Sequence, residues 1–438
     1  MTTAIPPQPA RRPAAAPAPP RAMPVVAPTS VRLPGEHFAA AILYLVTGAV
    51  GLVWIAPELA IGAYPSPRVA GITHLFTLGW LTTTIFGALY QLLPVALGAS
   101  LCSTRVEHAS FWTFAPGAGL FAAGVAASAS PLHHAGIALI TVGIVLGVGN
   151  LVLSLPRAPA RDVTWWAVAM ALAFLASTLL LGVVLLHNLH TGFLAGARLR
   201  VLAIHLHVAL VGWALIMMVG VSHRLLPMFL LSHGADTRWT KRSLALLAGG
   251  VALLSAGLTL QQPAATWAAV ALLEAGIGCF VWQALAFYRA RVRRQIDVGM
   301  RYAGTALGFL VVSALLGAAV LVGGVAHPRL ATAYIVVGLL GGIILYVVGF
   351  FYKIVPLLAW TVRYRDRMGT GTAPTVAQTF SARVAHVQLA LMALGVALLA
   401  TGVAVASVHV TRCGAALFLA GVILFVTQIV RVAAGRPA

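Results

Sequence analysis

Charge is what this sequence lacks most: of 438 residues only 8% are charged, and only 8 of those are Asp or Glu. A soluble domain carries about 25% charged residues. A chain so poor in charge cannot cover a water-facing surface, which excludes a soluble globular protein. Cysteine is scarce as well. Cys102, Cys279 and Cys413 lie far apart with no C-x-x-C pair, which excludes a disulfide framework and a thiolate metal site. The alternation of polar and apolar residues that marks half-buried strands is also missing. In their place stand 61% hydrophobic residues and 43 glycines. Small residues among large apolar ones are the composition of helices packed closely within a bilayer.

Apolar stretches between polar breaks predict twelve spans, at about 38–60, 69–98, 110–129, 134–155, 163–187, 201–231, 242–260, 264–288, 302–325, 330–361, 381–407 and 411–433. Each is near or above the roughly 20 residues that cross a hydrocarbon core. The expected fold is an all-α integral membrane protein with a single transmembrane domain over 38–433. Residues 1–37 are expected to form a disordered Pro/Ala-rich tail and 434–438 a short one. The first 34 residues hold ten Pro and eight Ala, without the apolar core of a signal peptide. Residues 362–380 read as a loop between the tenth and eleventh spans.

The formal charge of +20 looks at first like a nucleic-acid signal, but its placement says otherwise. All of the 28 Lys and Arg except Arg68, Arg198, Arg200, Arg329 and Arg412 fall in the tails and in alternate loops. This asymmetry is the positive-inside pattern, which predicts both termini in the cytoplasm of a bacterial inner membrane. The basic loops would lie against anionic headgroups, so the bilayer is the partner and nucleic acid is not.

Spans 2, 6 and 10 overlay without a gap. Counting from His74, His207 and Val336, each copy has Gly five residues on (Gly79, Gly212, Gly341) and Gly thirteen on (Gly87, Gly220, Gly349). Each also has a ring residue sixteen on (Tyr90, His223, Tyr352) and Pro twenty on (Pro94, Pro227, Pro356). The copies start 133 and 129 residues apart, four spans each time. This predicts three pseudo-repeated groups of four helices around a common centre. The prolines are expected to end or kink their helices.

Twelve spans in three groups of four, termini on one side, and His74 near the outer end of span 2 resemble subunit I of the haem–copper oxidase superfamily. That family includes cytochrome c oxidases and nitric-oxide reductases. The resemblance implies an axial haem ligand at His74 and a copper ligand on span 6 at His207 or His205. It implies electron transfer or small-gas chemistry with O2 or NO, and partners among respiratory subunits or a cytochrome. The sequence departs from the family's ligand set at two places. Residues 242–260 contain no His where a His pair is expected, and Tyr334 and Val336 stand on span 10 where H-x-H is expected.

Imidazole is the commonest transition-metal ligand and a usual axial ligand of haem. His74, His207 and His205 are therefore the expected cofactor-binding residues. His205 and His207, two apart on a helix, diverge by about 200° and would serve neighbouring sites. His187 and His190, at i and i+3 on span 5, share a face and with His205 are the expected metal ligands, for copper or zinc. His133 and His134 read as exposed loop. His223, about 24 Å along its helix from His207, reads as a structural residue. Glu274, in mid-span 8, is an intramembrane acid and hence a candidate proton carrier. Haem and copper are the expected cofactors. A non-catalytic haem or metal sensor of the same fold, and a transporter for metal or another small solute, are the competing functions.

Overall fold

Within lipid every backbone N–H and C=O must be bonded inside the chain, so apolar runs of this length fold as helices. The computed structural model describes residues 31–232, 236–292, 294–323, 327–364 and 374–435, and these are helical with no strand among them. Twelve helices are long and apolar enough to cross a membrane. They are α1 (Arg32–Trp54), α2 (Pro67–Ala96), α3 (Thr104–Ala126), α4 (Ser130–Arg157), α5 (Val163–Thr191) and α6 (Ala195–Leu230). The rest are α7 (Arg238–Thr259), α8 (Pro263–Arg289), α9 (Val298–Gly323), α10 (Pro328–Tyr364), α11 (Ala382–Ala404) and α12 (Val408–Ala434). The chain is an all-α polytopic membrane protein. An even number of spans leaves both ends of the described chain at one end of the bundle, here called proximal. The five outlying arginines all lie at the start of even-numbered helices, toward the other, distal end.

Several helices start earlier than the apolar pattern indicates. The first begins at Arg32, so residues 32–37 of the expected tail are helical; residues 1–30 lie outside the described residues, as do residues 365–373 of the 362–380 loop. Ser103 caps α3 by accepting the Val106 N–H at 3.3 Å, which draws Glu107 and His108 into the helix. Pro131 opens α4, so His133 and His134 sit in its first turn, not in a loop. The repeated prolines do not end their helices: α2 runs to Ala96, α6 to Leu230 and α10 to Tyr364.

The threefold repeat is built into the hydrogen bonding. The Asn150 side chain on α4 clamps the backbone of Ser103, accepting its N–H at 3.0 Å and donating to its carbonyl at 3.0 Å. Gln428 on α12 does the same to Ser381, at 3.1 and 2.8 Å. Gln283 on α8 donates to the Asp236 carbonyl at 2.7 Å. Each amide lies 47 residues after the backbone that it holds. Likewise, the Ser110 hydroxyl donates to the Gly143 carbonyl and that of Ser243 to the Gly276 carbonyl, both at 2.8 Å. Helix pairs α3/α4, α7/α8 and α11/α12 are thus equivalent units. Their close approach needs glycine: a Cβ on Gly136 would stand 2.3 Å from the Phe121 nitrogen, and one on Gly414 would stand 2.5 Å from the Leu399 nitrogen.

The central helices repeat too. Eight-residue π-helical turns occupy Leu75–Thr82 in α2, Val208–Leu215 in α6 and Val337–Ile344 in α10. They begin one residue after His74, His207 and Val336, the same register as the sequence repeat. Such π turns are rare and concentrate at functional sites. Within and just beyond them the three helices meet: Trp213 Nε1 donates to Thr82 Oγ1 at 3.1 Å, Trp80 stacks on Phe351 at 4.8 Å, and Ser222 and Tyr346 share a hydroxyl bond of 2.6 Å. Between the proximal halves of these helices lies an apolar cavity of about 240 Å³, lined by Met217, Met218, Tyr346 and Phe350 among others. Arg224 bonds Asp162 at the cap of α5, and Lys353 bonds Asp297 ahead of α9 at 2.5 Å; Gln91 holds the matching place in the first copy.

Candidate functional site

His74 and His205 face each other in the distal half. Ser66 caps α2 by accepting the Val69 N–H at 3.3 Å, which sets the helix entry two turns before His74. Gly71 lets α3 press close, since a Cβ there would stand 2.6 Å from the Ala122 carbonyl oxygen. The approach seats the Phe121 ring edge-on to His74 at 5.1 Å. His74 Nδ1 bonds the Ala70 carbonyl at 2.7 Å, which fixes the ring and leaves Nε2 as the nitrogen open to a ligand. Engaging the second ring nitrogen in this way is the usual means of orienting a metal-binding imidazole.

From α6, the His205 ring stands 6.4 Å from that of His74, centre to centre, and its buried Nδ1 has no hydrogen-bond partner. An unpaired polar nitrogen away from water is costly, and a bound ion would relieve that cost. Two small cavities adjoin the pair, of about 100 and 60 Å³, both lined by His74, Thr77 and His205. The larger extends toward Thr332 and Leu339 of α10, the smaller toward Ile140 of α4 and Gly182 of α5. The expected divergence of His205 and His207 is realised: only the former faces His74.

His207 has both ring nitrogens hydrogen-bonded. Its Nδ1 bonds the Ala203 carbonyl at 2.8 Å, repeating the bond of His74, but its Nε2 is taken by the Tyr334 hydroxyl at 3.2 Å. Tyr334 comes from α10, where the oxidase pattern would place a histidine, and its ring stacks on His207 at 6.0 Å. The Glu274 carboxyl on α8 is half-buried and within Coulombic range of the Tyr334 phenol. Tyr334 and His207 therefore form a hydrogen-bonded pair separate from the His74–His205 pair.

The expected grouping of His187, His190 and His205 as one metal site does not form. His187 packs on Phe193 at 5.4 Å, and His205 is committed to His74. His190 instead meets His133 and His134 from α4. The i, i+3 spacing did not bring His187 and His190 to one ion, because the helix turns His190 toward α4. His223, at the proximal end, bonds Thr240 at 3.2 Å and stays remote from these groups.

Sequence reasoning also missed Glu107. With α3 beginning at Thr104, this acid is fully buried in the proximal half and accepts from Asn150 Nδ2 at 3.1 Å. The signal was present as an acid four residues after a Ser cap, which extends a helix rather than ending it.

A haem does not fit beside His74 and His205. Pockets for ligands of that size run to about 300–1,000 Å³, whereas the two cavities there hold about 100 and 60 Å³. The donors and the space suit a single ion with a small ligand. No protein-family model matches the chain, and no curated protein matches it.

Proposed function

We propose that the protein is a membrane protein of the oxidase subunit I architecture that holds one transition-metal ion, copper first, between His74 and His205. The observation that carries this is the pair of rings 6.4 Å apart with an unpartnered nitrogen on His205. An ion with metal–imidazole bonds of about 2.0 Å reaches both rings when a nitrogen of each points along the line between their centres. Imidazole donors with no thiolate or carboxylate favour copper over harder ions.

The function that follows is small-gas redox chemistry or electron transfer. Cavities of about 100 and 60 Å³ on either side of the pair admit a diatomic gas and exclude larger solutes. This supports gas chemistry over transport of a bulky substrate. The chain's own residues contribute orientation, through the Ala70 carbonyl on His74, and exclusion of water, through Phe121, Leu339 and Ile140. The charge asymmetry supports an orientation with the termini cytoplasmic and the pair toward the outer face.

Copper retention by variants tests the proposal. Protein purified from copper-supplemented cells is expected to lose its buried copper on His74→Gln or His205→Gln and to keep it on His207→Gln. Equal copper in all four proteins, measured against chain concentration, rejects the site.

A further inference from the structure

We infer that His133, His134 and His190 form a second metal site at the distal end of the bundle, for a borderline divalent ion such as Cu2+ or Zn2+. One ring nitrogen from each lies within 4.8 Å of the others. Nε2 of His133 and Nε2 of His190 are 3.0 Å apart. Tetrahedral coordination with bonds of about 2.0–2.1 Å places ligand nitrogens about 3.3 Å from each other. The His133–His190 separation is near that value, and His134 must close by at most about 1.5 Å.

The burial pattern allows that closure. His133 is buried, whereas His134 and His190 are exposed and turn at little cost. His133 is anchored through its backbone: α3 packs so near that a Cβ on Gly124 would stand 2.4 Å from the His133 nitrogen. His134 is oriented by its Nδ1, which bonds the Ser130 carbonyl at 2.8 Å and leaves Nε2 toward the site. His190 is held by the end of α5, where Gly192, at φ +65°, donates to the Asn188 carbonyl at 2.8 Å. Asn188 in turn accepts the Leu194 N–H at 2.8 Å. Two helices thus present three imidazoles from fixed backbone.

Three neutral imidazoles with no acid or thiolate among them select borderline ions over Mg2+ or Ca2+. Three protein ligands leave a fourth position to water or an incoming group, the arrangement of exchangeable sites. The site is separate from the His74–His205 pair and shares no residue with it.

Isothermal titration of ZnCl2 and of Cu2+ into chelator-stripped, full-length protein in detergent, purified without a polyhistidine tag, tests the inference. His134→Gln is the decisive variant, since the ring is exposed. It is expected to weaken one class of sites at least tenfold. A His74→Gln/His205→Gln double variant is expected to leave that class intact, so that failure of the buried pair and failure of this site read differently. Unchanged binding by His134→Gln, or loss of this class in the double variant, overturns the assignment and leaves His133–His190 as a hydrogen bond between helices.

Discussion

The amide clamps give the threefold repeat an energetic consequence that can be measured. Replacing Asn150 by Leu keeps the volume but removes both bonds to Ser103 and the bond to Glu107. Interhelical hydrogen bonds in membrane proteins average about 0.6 kcal/mol, so three amount to about 2 kcal/mol. The buried Glu107 carboxyl also loses its amide donor, which adds about 1–3 kcal/mol for a stranded polar group. The expected cost of Asn150→Leu is therefore about 3–5 kcal/mol. Gln428→Leu removes two bonds and strands no acid, about 1 kcal/mol; Gln283→Leu removes one, about 0.6 kcal/mol. Equilibrium unfolding in dodecylmaltoside micelles titrated with SDS, followed by tryptophan fluorescence, resolves this order. A cost for Gln283→Leu equal to that of Asn150→Leu would refute the reasoning, because the three positions would then matter through packing alone.

Asp162 caps α5 and meets Arg224; burial alone would raise its carboxyl, but bonds from the Trp165 N–H and from Arg224 outweigh it and hold it below the usual carboxylate range. A lowered folded value means that its stabilisation is present above about pH 4 and fades as pH falls through the folded value. Asp162→Asn is therefore expected to cost under about 1 kcal/mol at neutral pH, since the pair is partly exposed, and progressively less in acid. Unfolding titrations at several pH values check this, and a cost that grows in acid would contradict it. Gly124→Ala forces α3 from α4 at His133 and is expected to destabilise by about 1–3 kcal/mol while weakening Zn2+ binding. A variant with wild-type stability and wild-type titration would show that the Gly124 contact does not position His133.

The twelve spans were legible because long apolar runs leave little choice but a helix. The repeat was legible only on α2, α6 and α10, where Gly and Pro recur at fixed spacing. The amide clamps were not, since Asn150, Gln283 and Gln428 are single polar residues whose partners, Ser103, Asp236 and Ser381, bond through backbone. The π turns carry no period that a sequence reveals. His74 and His205 were found as polar residues at membrane depth, yet their pairing depends on how α2 and α6 face each other. His207 looked equivalent to His74 until Tyr334 arrived from α10, a helix read only for the histidines it lacks. The distal triad escaped because His133 and His190 are 57 residues apart on different helices.

The optical spectrum of the purified protein, recorded with its metal content, tests the central claim most directly. The account predicts a chain without a Soret band that carries copper at His74 and His205, lost when either becomes Gln. A Soret band that scales with protein and disappears in His74→Gln would contradict it, and would mean that the helices around the pair part to admit a haem.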